Sequence, residues 1–264
     1  MGTTCISSVA YASIFNRRFP AEGGTGGIWK KVSKLLPAEK QQYGSGNAIV
    51  AIDQDAKFVT TASGRKIQYK AMISTVPLDC TLRWLGKPQW ADGLQHSSSH
   101  IVGFGIRGEC PHGLKCWLYF PEDNCPFYRT TIFSHYARNN CPGDDVKLPT
   151  ICMGSGEAPA DSTAKGGPWW SLMFEISESQ YKPVEWQKMG RIAGQDNWPQ
   201  IVQDTLIGAI NTKLMGPTDE VVSIYHRRYV LFSAPTHTSW HPSIEVKFSK
   251  GIWFLSIESL QKRV

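Results

Sequence analysis

One segment of this 264-residue chain brings together aromatic rings, phenol hydroxyls and one arginine, the residue types that bind a sugar nucleotide. It spans residues 115 to 136 and reads KCWLYFPEDNCPFYRTTIFSHY. Trp117 and Tyr119 have the spacing that places two side chains on one face of a strand, and a similar alternation surrounds Arg129. A guanidinium offers paired donors to a phosphate and keeps its charge, while an aromatic ring can stack on a base. The alternative is an ordinary aromatic-rich hairpin with Arg129 on a solvated edge.

The block CWLYFPEDNCPFYR within this segment closely resembles the substrate-binding segment of the eukaryotic branch of the UDP-galactopyranose mutase family. Other stretches between residues 19 and 228 resemble the same family in the same order. They are FPAEGGTGGIWKKVSKLLP at 19 to 37, SGRKIQYKAMISTVPLD at 63 to 79, SSSHIVGFGIRGECP at 97 to 111, GPWWSLMFEISES at 167 to 179 and KLMGPTDEVVSIYHRR at 213 to 228.

The resemblance implies an isomerase that interconverts UDP-galactopyranose and UDP-galactofuranose, as in galactofuranose biosynthesis for a cell wall. In such enzymes N5 of reduced FAD attacks the anomeric carbon and displaces UDP, and NAD(P)H is the expected reductant of the flavin. By resemblance Arg129 grips the substrate diphosphate, and Tyr119 and Tyr136 hydrogen-bond near it. Trp117 matches an aromatic residue of the mobile substrate site. We assign no residue of this chain a catalytic or a metal-binding role.

Four further residues are expected near the flavin on the same resemblance. The GGTGG sequence at 23 to 27 lies where the family's chain returns to its FAD domain, which places Gly24 and Thr25 close to the cofactor. Tight packing of a helix is the alternative for these positions. Ile49 matches a position whose backbone faces the adenine, and Thr75 ends a strand near the cofactor. Both can instead be core residues.

The pattern of apolar residues predicts helices and strands on both sides of residue 97. A helix is expected to start at Thr25 as its cap, to pack on a core through apolar residues at helical spacing, and to stop before Pro37. Strands are predicted at 47–53, 57–64, 66–70, 71–77, 101–109 and 168–176. Short helices are predicted at 78–94, an exposed loop at 137–167 and a last helix at 198–214.

We therefore expect an α/β (α+β) chain that combines part of an FAD-binding domain of the two-dinucleotide-binding type with an antiparallel substrate-binding sheet. The amino-terminal Rossmann unit is expected to be missing, because no G-x-G-x-x-G turn opens the chain. The expected segments are a poorly matched amino-terminal segment at 1–18, the partial FAD-binding domain at 19–96, the antiparallel sheet at 97–184, an insertion with a returning helix and strand at 185–228, and a divergent tail at 229–264.

Three departures from the family limit what the resemblance implies. Similarity is lost before residue 19 and after Arg228, and the segment PVEWQKMGRIAGQD at 183 to 196 is longer than the family's connection. We therefore interpret the chain as a truncated or mis-spliced product that binds FAD poorly and has little or no mutase activity. The alternatives are a catalytically dead UDP-sugar-binding or interaction module and another flavoprotein of the amine-oxidase superfamily.

Composition narrows the expected partners and the compartment. The chain has seven cysteines without a C-x-x-C pair, which indicates reduced thiols in the cytoplasm rather than a zinc site or a complete disulfide framework. His226 and the tail residues His237 and His241 lack ligand spacing with any cysteine. No apolar run approaches the ~20 residues that cross a bilayer. The net charge of +6 comes from scattered basic residues, which a small polyanionic ligand explains as well as nucleic acid does. We expect a small-molecule partner and neither nucleic acid nor a membrane, and a homo-oligomer stays open.

Overall fold

The computed structural model describes residues 11–13, 19–92, 94–235 and 252–254. These residues fall into two compact units. The first comprises residues in the ranges 1–33 and 98–230, and the second comprises residues in the ranges 34–97 and 231–264. One of the seven cysteines, Cys5, and the tail residues His237 and His241 lie outside the described residues.

The described strands and helices follow the order of the chain. The strands are β1 (Tyr11–Ser13), β2 (Ile49–Asp53), β3 (Phe58–Thr61), β4 (Lys66–Gln68), β5 (Met72–Ser74), β6 (Leu94–Arg107), β7 (Lys115–Tyr119), β8 (Arg129–Ile132), β9 (Cys152–Met153), β10 (Trp169–Glu178), β11 (Met189–Ile192), β12 (Gln195–Pro199), β13 (Glu220–Pro235) and β14 (Ile252–Phe254). The helices are α1 (Gly24–Leu35), α2 (Leu78–Trp84) and α3 (Gln200–Asn211).

A seven-stranded sheet forms the first unit, with the strand order β1-β7-β8-β10-β6-β13-β9. The pairs β1–β7, β7–β8, β8–β10, β10–β6 and β13–β9 are antiparallel. The antiparallel sheet predicted from the alternation of the sequence is therefore confirmed. Both strands of the aromatic segment, β7 and β8, are neighbours in this sheet, and β10 is the next strand.

The sheet has one closed and one open face. Leu172, Phe174 and Ile176 alternate along β10 on the closed face, and each is at most 1% exposed. Helix α3 packs there, because its apolar residues belong to the same buried cluster. Gly208 allows the close approach of α3, since a Cβ at this position would lie 2.8 Å from Cδ of Pro126. The open face carries the polar and aromatic side chains described below.

Within the segment that was predicted to be an insertion, the chain forms a hairpin of β11 and β12. Its turn residues Ala193 and Gly194 have φ angles of 50° and 76°, the positive values that a two-residue hairpin turn of type I′ requires. Ile192 at the end of β11 is buried in the main cluster. The sequence did not predict this hairpin, because alanine at a positive φ is not a recognisable turn signal.

The second unit contains a three-stranded antiparallel sheet of order β2-β3-β4 and a parallel pair of β5 with β14. Ile52 and Val59 form its small buried cluster, against which Ile49, Ile67 and Trp84 pack with their partly buried side chains. The strands predicted at 47 to 77 therefore correspond to β2, β3, β4 and β5, each shorter than its predicted range.

Two predicted features of the helices are wrong. Helix α1 begins at Gly24, so Thr25 lies in its first turn instead of capping it. The helix starts here because Gly23 and Gly24 adopt φ angles of 68° and 57°, which only glycine tolerates without strain. No residue of α1 is buried, and Trp29 is 72% exposed, so the predicted packing on a core is not found among the described residues.

The last helix is also shorter than predicted. Helix α3 begins at Gln200, because Pro199 has an extended ψ of 142° and belongs to β12. The longest described helices, α1 and α3, have 12 residues each, fewer than the ~20 that span a bilayer. None of the helices in the described ranges has the length and apolar character that crossing a membrane requires.

Candidate functional site

A cavity of about 750 Å³ opens on the polar face of the sheet in the first unit. Its volume is within the range of small-molecule sites, about 300 to 1,000 Å³. All four predicted substrate-binding residues and two of the predicted cofactor residues line it: Trp117, Tyr119, Arg129, Tyr136, Gly24 and Thr25. The remaining lining residues include Phe19, Phe133, Asn140, Met173 and Glu175.

The register of the sheet explains why these side chains meet. Tyr119 on β7 pairs with Arg129 on β8, which in turn pairs with Glu175 on β10. Trp117 lies two residues before Tyr119 and pairs with Thr131. Side chains at directly paired positions and at i, i+2 share a face, so the alternation predicted from the sequence places this set on the open face.

Arg129 is held by a buried carboxylate. Its Nε donates a hydrogen bond of 2.8 Å to Oε1 of Glu175, and its Nη2 donates to the same oxygen. The guanidinium also lies 5.9 Å from the ring centre of Tyr119. The side chain of Arg129 is 37% exposed, whereas that of Glu175 is 9% exposed. The alternative that Arg129 sits on a solvated edge is wrong, because β8 lies between β7 and β10.

The hydrogen bonds of Arg129 and Tyr128 keep both side chains protonated. Burial acts to lower the pKa of Arg129, but hydrogen bonds to Tyr119 and Glu175 outweigh burial and raise the pKa above its usual value. Burial, together with a hydrogen bond of 2.7 Å donated to Glu175, raises the pKa of Tyr128 to about 12. Arg129 therefore stays charged and Tyr128 stays a hydroxyl donor at neutral pH.

Aromatic rings form a second wall of the cavity around Tyr136. Its ring centre lies 4.0 Å from that of Phe19, 5.3 Å from that of Phe133 and 6.4 Å from that of Trp117. All three neighbours also line the cavity. Such a wall can stack on a base or cover the flat side of a sugar, while Arg129 offers its charge to a phosphate.

A smaller cavity of about 330 Å³ adjoins the first on the same face. Phe133, Asn140 and Met173 line both cavities. Every residue that lines the smaller cavity is uncharged, including Trp169 and Tyr225. An anionic group of a ligand is therefore expected in the larger cavity, beside Arg129.

The four predicted cofactor residues are divided between the units. Gly24 and Thr25 line the larger cavity, and a Cβ on Gly24 would meet no atom within 4 Å, so a ligand can approach this backbone closely. Ile49 and Thr75 belong to the second unit. Ile49 is half-buried against the small apolar cluster, and Thr75 is exposed directly after β5. Their predicted role at a flavin stays a prediction.

Glu175 is the charged residue of the cavity that the sequence interpretation missed. Its signal is present in the sequence, since one carboxylate interrupts the apolar run WWSLMFEIS of β10. A carboxylate in a buried strand position is rarely tolerated without a charged partner. The partner could not be chosen without the register that sets Arg129 opposite it.

A second group of charged side chains lies on the closed face, at the other end of β10 from Trp169. Nδ1 of His100 lies 3.1 Å from Nε2 of His226, and the two rings stack with centres 5.4 Å apart. Nε2 of His100 lies 3.4 Å from Oε2 of Glu178, which accepts a hydrogen bond of 2.6 Å from Nε of Arg228. No cluster that could hold a metal ion occurs among the residues described, this one included.

The six described cysteines are free thiols. Burial raises the pKa of the Cys125 thiol to about 11, an effect that a hydrogen bond to Phe127 only partly offsets, and burial raises that of Cys152 to about 11 as well. Neither thiol is therefore a reactive thiolate at neutral pH.

Comparison with solved structures shows which known protein the chain is related to. A crystal structure of reduced UDP-galactopyranose mutase matches it with a TM-score of 0.64 and 36% sequence identity, over 82% of this chain and 40% of the mutase chain. The chain is related to part of a UDP-galactopyranose mutase. The resemblance stated from the sequence and the mixed α/β class with antiparallel sheets are thereby confirmed.

The relationship to the mutase covers only part of that protein. The chain spans 40% of the length of the mutase that it matches. The crystal structure of the PF1083 protein from Pyrococcus furiosus matches with a TM-score of 0.46 and 12% identity, over 79% of this chain and 40% of that chain, which is too weak to carry an argument. No protein-family model matches the sequence.

Proposed function

We propose that the larger cavity binds the diphosphate of a UDP-sugar, with UDP-galactopyranose and UDP-galactofuranose as the substrates. The observation that carries this proposal is the convergence of Arg129, Tyr119, Trp117 and Tyr136 on one cavity of suitable volume, in a chain related to a mutase. Arg129 supplies a permanent positive charge, and the aromatic wall supplies stacking surface.

The proposed roles follow from the chemistry of these groups. Arg129 and the hydroxyl of Tyr119 donate hydrogen bonds to diphosphate oxygens, and the charge of Arg129 stabilises UDP as negative charge develops on it. The hydroxyl of Tyr136 donates a further hydrogen bond, and Trp117 covers the ligand. The proposed activity is that of an isomerase, with no net oxidation or reduction.

The fit of FAD, the cofactor of the proposed reaction, is incomplete in the residues described. Gly24 and Thr25 offer an accessible backbone in the cavity. In the second unit, the connection from β5 into α2 at residues 75 to 77 contains no glycine, so it does not form the turn that holds a dinucleotide pyrophosphate. The proposed isomerase activity, with NAD(P)H as reductant of the flavin, therefore depends on binding residues beyond these.

A UDP-sugar-binding module without isomerase activity is the second candidate. It is favoured by the observation that the whole of the larger cavity lies in the first unit, whereas the predicted flavin residues are divided between two units. Both candidates require UDP binding, and they differ in whether FAD is bound. We propose a cytoplasmic protein in either case, with a homo-oligomer compatible with both.

Calorimetric titration of the chain with UDP tests the shared part of the proposal. Arg129→Ala is expected to weaken UDP binding by about 10-fold or more, since hydrogen bonds to charged groups contribute about 1.5 to 3 kcal/mol. The matched control is Arg138→Ala, because Arg138 is 82% exposed and pairs with Asp144 outside the cavity. Equal affinities of the two variants, or no saturable UDP binding by the unmodified chain, would contradict the proposal.

A further inference from the structure

Glu175 raises a question of charge, because it puts a carboxylate at the wall of a cavity that is proposed to bind an anion. The residue is 7% exposed and lies on β10 between Phe174 and Ile176, both of which belong to the core. A carboxylate removed from water needs charged or hydrogen-bonding partners to remain ionised. Its neighbours must therefore explain why it is present.

Both oxygens of the carboxylate are occupied. Oε1 accepts the hydrogen bonds from Nε and Nη2 of Arg129, and Oε2 accepts the hydrogen bond of 2.7 Å from the hydroxyl of Tyr128. The backbone N–H of Tyr128 also donates to the carbonyl of Glu175 at 3.0 Å. Tyr128 thus fixes the carboxylate, and the carboxylate fixes the guanidinium.

The two hydrogen bonds to Glu175 hold the guanidinium by its Nε and Nη2 edge. A planar guanidinium presents its donors in a fixed fork, so holding Nε and Nη2 sets the direction of Nη1 as well. An arginine that is already oriented loses less conformational freedom when it binds a phosphate. The carboxylate of Glu175 offsets part of the charge of Arg129, so the orientation of the guanidinium contributes to anion binding in addition to its charge.

We infer that Glu175 is a positioning residue for Arg129, which it holds by the Nε and Nη2 edge in the one orientation that presents the guanidinium to the diphosphate of the nucleotide. This inference rests on the proposed function. Glu175 itself does not touch the ligand in this arrangement. Its part is to keep a flexible side chain in one orientation on the floor of the cavity.

Two substitutions of Glu175 separate orientation from charge. Glu175→Gln and Glu175→Ala remove the same negative charge, but only glutamine keeps an oxygen that accepts from Arg129 and an amide that Tyr128 can accept from. Titration with UDP should show that Glu175→Gln binds at least about 10-fold more tightly than Glu175→Ala, the factor that one charge-assisted hydrogen bond supplies. Equal affinities of the two variants would overturn the inference.

A ligand-free measurement keeps the inference separate from the proposed function. The Nε–H of Arg129, assigned in nitrogen–proton NMR spectra by its loss in Arg129→Lys, should exchange slowly with water in the unmodified chain and in Glu175→Gln. It should exchange rapidly in Glu175→Ala. Rapid exchange in the unmodified chain would show that Glu175 does not hold Arg129, whatever the affinity for UDP.

The two failures are therefore distinguishable. Loss of UDP binding with a slowly exchanging Nε–H contradicts the proposed function and leaves the positioning of Arg129 supported. If Glu175→Ala does not fold, Tyr128→Phe serves instead, since it removes the hydroxyl that fixes Oε2 and leaves the charge of Glu175 unchanged. Faster exchange of the Arg129 Nε–H in this variant supports the inference, and unchanged exchange counts against it.

Discussion

Strand β10 carries two glutamates that pair with arginines on opposite faces of the same sheet. Glu175 accepts from Arg129 on the open face, and Glu178 accepts from Arg228 on the closed face. Their odd spacing of three residues places them on opposite faces of the strand. The pairs differ in what surrounds them, since the first adjoins a cavity and the second adjoins the buried imidazole of His100.

This difference separates a ligand site from a structural cluster. Arg129 keeps 37% of its side chain exposed beside a cavity, so an anion can reach it. The side chain of His100 has no exposed surface, and Glu178 is 13% exposed. We expect changes in the open-face pair to alter ligand affinity and changes in the closed-face cluster to alter the free energy of unfolding. The following predictions test that separation.

Glu178→Ala should have the largest effect on stability. The substitution leaves Arg228 and His100 without the carboxylate that lies next to both. We expect the free energy of unfolding to fall by about 3 kcal/mol, the lower end of the range for breaking a buried ion pair, because Arg228 is 30% exposed. Urea denaturation at neutral pH measures the change.

The control for this prediction is Glu185→Ala, at an exposed position. The control should leave stability unchanged, and Glu178→Ala should leave the affinity for UDP unchanged in the folded fraction. A loss of stability below about 1 kcal/mol would mean that the cluster behaves as a surface ion pair. The distinction between the two faces would then fail.

The histidine pair should make stability depend on pH. Burial lowers the pKa of His226, and the charge of His100 lowers it further. Burial also lowers the pKa of His100, although the nearby charge of Glu178 acts to raise it. In the unfolded chain both histidines have a pKa near 6.5, so the unfolded chain binds more protons below that pH. Stability is therefore present above about pH 6.5 and is lost as the pH falls.

His226→Gln tests the contribution of this pair. One histidine held neutral in the folded state lowers the free energy of unfolding by up to about 1.4 kcal/mol for each unit that the pH falls. Between pH 6.5 and 5, the variant should therefore lose about that much less stability per pH unit than the unmodified chain. The reference is the unmodified chain, measured by urea denaturation at the same pH values. His100 and His112, whose pKa values burial also lowers, should supply the slope that remains. Identical slopes for His226→Gln and the unmodified chain would exclude His226 as a source of the pH dependence.

The sequence predicted the residues of the open face better than those of the closed face, for a physical reason. Trp117 and Tyr119 follow a strand alternation that is local in sequence, so their common face could be predicted from spacing alone. Arg129 was placed with them by the family resemblance, and the register of β7 with β8 sets it opposite Tyr119. His100 and His226 lie 126 positions apart, and only the order of strands β6 and β13 brings them together. Pairing at that distance has no local signal.

In helix α1, the apolar periodicity of the sequence predicted more than the structure contains. Its apolar spacing predicted a helix, which is present, but also a buried face, which is not. Trp29 and Leu35 are 72% and 83% exposed. The period of apolar residues specifies which side of a helix is apolar, whereas burial depends on what packs against that side.

Tyr136→Phe should have the smallest effect and tests the open face most finely. The ring stays in contact with Phe19 and Phe133, so the aromatic wall of the cavity should be retained. Removing the hydroxyl that is proposed to contact the diphosphate should weaken UDP binding by a factor of about 2 to 10, which corresponds to one ordinary hydrogen bond. Calorimetric titration with UDP and with uridine measures this, because a loss confined to UDP assigns the hydroxyl to the phosphates.

The matched control is Tyr181→Phe, at a position that is 80% exposed and outside the cavity. If Tyr136→Phe and Tyr181→Phe bind UDP equally well, Tyr136 contributes only its ring, and the polar part of the site reduces to Tyr119, Arg129 and the carboxylate that holds it.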